Sequence, residues 1–166
     1  MSNSKNPLCK RSNELADRLL QGASALEKYA DTLSDADWQK PVTGDGRTVG
    51  VVIHHVASAY SVEIELAKLL ASGQPISDVT MDVVDKMNAE HAQKYAKISK
   101  EDAIELLRRN SKDAADSIRA FTDAELERSA TVSLNAEAPL TAQFFIEDHA
   151  LRHSFHHLSR IKATIA

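Results

Sequence analysis

Apolar residues recur at helical spacing along most of the chain. Leu15, Leu19, Leu20, Ala23, Leu26, Tyr29 and Leu33 fall at intervals of three and four, which predicts a helix from about Asn13 to Leu33 with Ser12 as its cap. Val49, Val52, Ile53, Val56, Tyr60, Ala67 and Leu70 define a second helix from about Val49 to Ala71. Thr48 would cap it, and Ser72-Gly73 followed by Pro75 would stop it. A third runs from Val79 or Thr80 to about Lys97. A fourth opens at SKED, where Ser99 and Asp102 resemble a capping box, and continues to about Phe121. A fifth starts near Thr141 and runs almost to the end.

The segments between these stretches are polar or broken. SDADWQKPVTGDGR holds Pro41, Gly44 and Gly46, so it reads as a linker. Its Trp38 is expected to pack back over the end of a bundle, with a binding role as the alternative. TDAELERSATVSLNAEAPL separates the last two helices, and its Ala130–Leu134 part alternates as an extended segment would. The prediction is an all-α fold: a four-helix bundle with one additional short helix and a long loop before the last helix. One domain spans residues 1–166, with residues 1–11 flexible.

Composition narrows the function. Five glycines and four prolines in 166 residues fit a helical chain. The net charge is −4, and no basic block interleaves with aromatics, which argues against a nucleic-acid partner. Cys9 is the single cysteine and cannot form an internal disulfide. The N-terminal residues lack the apolar run of a secretory signal, and no window is apolar enough to cross a membrane. A cytoplasmic protein with no membrane partner is expected.

Histidine placement supplies the candidate chemistry. Four of seven histidines lie in EDHALRHSFHHLSRIKATI. At about 100° per residue, Phe144, Leu151, Phe155, Leu158 and Ile165 form the expected core stripe, and Ile146, Ala150 and Ile161 extend it around one flank. His153 and His157 sit on its flank, one turn apart, while His149 and His156 fall on the polar side. Imidazoles at i and i+4 can reach one ion. On the second helix, His55 lies on the flank of the apolar stripe and His54 on the polar face. His91 lies with Val84, Met87 and Tyr95 on one face of the third helix, beside Asn88. It can ligate, bind substrate, or bond to a backbone carbonyl as a core histidine. Glu63 interrupts an apolar stripe. It can orient a ligating imidazole, although an ion pair with Arg or Lys is the commoner outcome.

VGVVIHHVASAY, DVVDKMNAEH with its Asn88, and HSFHHLSRI together resemble the DinB-like superfamily over roughly Asn13 to Ile165. Arg47 stands where many relatives carry Trp. The resemblance implies a four-helix bundle with a divalent-metal site made from His55, His153 and His157, the same three that helical phase selects. It also implies thiol S-transferase, maleylpyruvate isomerase or hydrolase chemistry, and a homodimer. Three function classes follow. The first is a metal-dependent enzyme acting on a small molecule, with a low-molecular-weight thiol as co-substrate for the transferase type. The second is a metal- or ligand-binding protein without turnover, and the third is a structural bundle. Imidazole donors suit several ions, with zinc and nickel the expected ones. Glu63, Asn88 and His91 are the candidates for supporting or substrate-binding roles.

Overall fold

The computed structural model describes residues 9–166. Most of the segment expected to be flexible lies outside them, but Lys10 and Arg11 are already helical. Helix α1 spans Lys10–Asp31. It begins before the expected Ser12 cap because Ser12 is buried inside the first turn, where its hydroxyl donates to Cys9 O at 2.9 Å. A single turn, α2 (Asp35–Trp38), is closed by a capping box between Ser34 and Asp37.

Helix α3 spans Val49–Ala71, with Thr48 accepting from Val51 N as expected. Helix α4 is Met81–Lys94 and α5 is Lys100–Arg119. Ser99 caps α5 through Asp102 N, but only this half of the expected box is formed. The short α6 (Asp123–Glu127) follows. The extended segment foreseen at Ala130–Leu134 is a hairpin, β1 (Ser129–Val132) against β2 (Ala138–Thr141), with Ser129 opposite Thr141.

The last long element has three parts: α7 (Ala142–Phe145), a π-helical turn (Ile146–Leu151) and α8 (Arg152–Ile165). Helix α5 packs against α1 and α3, and the segment from α7 to α8 packs against α1 and α3 on the other side. This is the expected four-helix bundle, with α4 as the additional helix. The core between the four includes Leu15, Leu26, Ile53, Tyr60, Leu107 and Ile161. Trp38 caps one end as expected: it is buried, and its indole N–H donates to Ile98 O at 3.0 Å.

The core stripe of the last helix differs from expectation. Ile146, Ala150, Leu151, Leu158 and Ile161 are buried as expected, but Phe144 and Phe155 are 47% and 45% exposed, and Phe145 is buried instead. The π-turn is the cause. It accommodates one extra residue, which offsets the phase of everything after it by about 100°. Counting continuously from Phe144 therefore merges two stripes that belong to different registers.

No helix among the described residues is long and apolar enough to cross a membrane.

Candidate metal centre

His55 comes from the second turn of α3, and His153 and His157 from the first turns of α8. Both partners of the α8 pair lie beyond the π-turn, so their one-turn spacing is intact. His55 Nε2 and His153 Nε2 are 3.1 Å apart. One ligand atom from each of the three rings falls within 4.8 Å of the others. Two nitrogens bound tetrahedrally to one zinc-sized ion sit about 3.3–3.4 Å apart, so the closest pair already has coordination spacing. His157 Nδ1 is buried without a hydrogen-bond partner. The donor set thus fits a transition-metal ion.

Burial also sets the protonation state. Desolvation first, then the neighbouring His153, lowers the pKa of His55 to about 2. The same two causes lower His157 to about 3. Both rings are neutral near pH 7, as metal ligation requires.

Glu63 lies two turns beyond His55 on α3. Its Oε1 is 2.9 Å from His153 Nδ1. The approach is off the line of a well-formed hydrogen bond, and Glu63 Oε2 has no partner. Of the two outcomes foreseen for Glu63, contact with the candidate ligand replaces the ion pair with Arg or Lys.

The other histidines correct the sequence reading in part. His54 was expected on the polar face, yet it is 5% exposed. Helix α4 covers that face: His54 Nδ1 lies 2.8 Å from His91 Nε2, and the His54 ring sits 3.9 Å from that of Tyr95. His91 is half-buried and bonds to His54 rather than to a backbone carbonyl. Its ring is 5.7 Å from that of His55, and burial lowers its pKa to about 4. Asn88 shares this half-buried face, whereas Met87, expected beside them, is exposed. His149 was expected on the polar side. The π-turn instead draws it inward, stacked on Phe145 at 4.2 Å with its Nε2 buried. His156 is exposed, as foreseen.

The turn before α3 holds a pair that the histidine pattern did not single out. Arg47 forms a bidentate contact with Asp45, at 2.6 Å from Nε and 2.8 Å from Nη2. That contact holds the Asp45 carboxyl at about 2, well below its ordinary range. The adjacent glycines in TGDGR were the available signal.

The bundle and its three converging imidazoles define a helical protein with a built histidine site between two helices. The chain belongs to the DinB superfamily, whose sequence pattern matches residues 18–161. No curated protein shows significant sequence similarity to it. Among solved structures, it is similar to YfiT from Bacillus subtilis, described as a probable metal-dependent hydrolase with an unusual four-helix bundle topology. The TM-score is 0.74 at 16% identity, covering 98% of this chain and 91% of that one. A mycothiol-dependent maleylpyruvate isomerase matches with a TM-score of 0.69 at 12% identity, over 90% of this chain and 60% of that one. The colibactin self-resistance protein ClbS, solved in complex with dsDNA, matches with a TM-score of 0.71 at 14% identity, over 93% and 94%. At these identities the likeness establishes the shared fold.

Proposed function

We propose that His55, His153 and His157 bind a divalent ion, zinc or nickel, and that the protein is a metal-dependent enzyme acting on a small molecule. The observation that carries this reading is the convergence of one nitrogen from each ring within 4.8 Å. The three neutral imidazoles would hold the ion without compensating its charge, and such an ion would supply the acidification of a water or thiol.

The chain's own groups have distinct parts. Burial keeps the imidazoles neutral and ready to ligate. Glu63 restrains the ring of His153 from its far nitrogen. His91, held by His54, borders His55 and faces a bound substrate. Hydrolysis and thiol transfer both use this arrangement, and the YfiT and isomerase likenesses favour these two classes. A low-molecular-weight thiol is the co-substrate in the second.

Metal analysis of protein purified without a nickel column, beside a His153→Ala variant, tests the site. About one ion per chain in the wild type and a large loss in the variant are expected. Equal content in both overturns the reading. Activity screens of the metal-loaded protein, with simple esters and amides and with thiols plus electrophiles, then separate the two reaction classes.

A further inference from the structure

The turn between Pro41 and Thr48, just before the helix that carries His55, encloses a charged pair. Gly44 and Gly46 have φ of 74° and 86°, left-handed values that glycine adopts freely. They flank Asp45 and fold it back onto Arg47. The pair is largely enclosed, with side-chain exposures of 16% for Arg47 and 7% for Asp45. The turn is also fastened to α8: Thr43 N donates to Thr164 Oγ1, and Arg160 donates to Thr43 O.

Asp45 engages Nε and Nη2 of the guanidinium. Nη1 is buried and has no hydrogen-bond partner. Buried N–H groups in native proteins are paired, because an unpaired one is penalised. Arg47 lies about two turns before His55, on the side towards which helical side chains lean. The turn that carries it is bound to α8 at Arg160 and Thr164, one and two turns beyond His157, so it bridges the two helices that supply the imidazoles.

Charge balance indicates what Nη1 awaits. Three neutral imidazoles offset none of a divalent ion's charge. Glu63 offsets part of it, and Asp45 is already paired with Arg47. The loaded site is therefore net positive and favours an anionic ligand.

We propose that Arg47 is the specificity-determining residue of this site: its Nη1 anchors an anionic group, a carboxylate or similar oxyanion, on the substrate while another substrate atom reaches the metal position. This rests on the metal reading above and narrows its substrate class to small anions.

Cobalt(II)-loaded protein titrated with malonate, and separately with azide, provides the test by visible absorption. Malonate carries two carboxylates, one for the ion and one for Arg47, whereas azide carries a single small anionic group for the ion. The double variant D45N/R47M removes the cation without leaving Asp45 as an unpaired buried charge. Malonate should bind it at least about tenfold more weakly, the scale of a lost charge-assisted contact, with azide affinity changed less than about twofold. Equal malonate affinity in both proteins, or equal weakening for both anions, overturns the proposal and leaves the metal reading intact. Absence of cobalt absorption in the wild type overturns both. If the variant does not fold, the Arg47 guanidinium 15N resonances of zinc-loaded wild type decide. A shift with malonate but not azide supports the anchor, and no shift overturns it.

Discussion

Glu63 Oε1 approaches Nδ1 of His153 to 2.9 Å, while the opposite nitrogen of that ring, Nε2, lies 3.1 Å from His55 Nε2. One imidazole therefore joins a carboxylate on one edge to the candidate metal position on the other. Such a carboxylate fixes the ring's tautomer and makes it a better donor. Glu63 is on α3 and His153 on α8, so the contact couples the two helices that supply the candidate ligands. Glu63→Gln keeps the size and removes the charge. Metal affinity should fall about 10- to 100-fold, measured by chelator competition, with little change in the fold. Unchanged affinity would show that Glu63 has no part in the site.

The depressed imidazoles make the metal-free protein acid-sensitive. His55 and His157 titrate near 6.5 when unfolded but at about 2 and about 3 in the fold, and His91 at about 4. Between those values the unfolded chain binds more protons, so stability is full above pH 6.5 and declines as pH falls. Asp45 adds to the loss only below its ordinary 3.8. Melting in EDTA between pH 7 and pH 5 therefore isolates the histidines. The Tm should drop across that range, and a His157→Asn variant should show a shallower slope. A flat wild-type profile would refute buried neutral imidazoles.

The sequence pattern reached the bundle and the histidine triad for the same reason. Both depend on position within uninterrupted helices: Val52, Val56 and Tyr60 lie in phase with one another, and so do His153 and His157. The caps at Thr48 and Ser99 were equally local and equally readable. What periodicity could not convey was a break in period. The π-turn at Ile146–Leu151 has no composition of its own, yet it shifts the register, leaving Phe144 and Phe155 outside and drawing His149 inward. His54 was misplaced for a different reason. Its burial depends on α4 lying across α3, a tertiary contact that no single-helix wheel contains. Asp45 and Arg47 meet through a glycine-shaped turn, where no repeating period operates.

Gly50, in the first turn of α3, packs directly against Trp38 at the bundle end. A Cβ added at Gly50 would lie 2.3 Å from Trp38 Nε1 and 2.5 Å from Cε2. The indole is buried and bonded to Ile98 O, so it cannot withdraw without losing that bond. Gly50→Ala should cost about 1–3 kcal/mol of overpacking. For a chain of this length that corresponds to a Tm decrease of roughly 2–12 °C. The loss should shrink when Trp38 is simultaneously replaced by Leu. An unperturbed Tm in the single variant would contradict the packing described.

The ClbS likeness includes a complex with dsDNA, so nucleic-acid binding by this chain requires its own answer. Affinity for duplex DNA comes chiefly from cations that displace counterions from phosphates. Here 20 Lys and Arg face 24 Asp and Glu, and many of the cations are already paired. Arg18 contacts Glu147, Arg108 contacts Glu27, Arg119 contacts Asp17 and Lys112 contacts Asp116. Phosphate contacts would have to break these pairs in a protein of net negative charge. Fluorescence anisotropy with a labelled duplex at about 0.15 M salt should therefore give no binding tighter than about 100 μM, the weak end of non-specific association. A Kd near 1 μM that weakens steeply with added salt would overturn the exclusion. It would point to a positive surface assembled from residues that the sequence does not cluster.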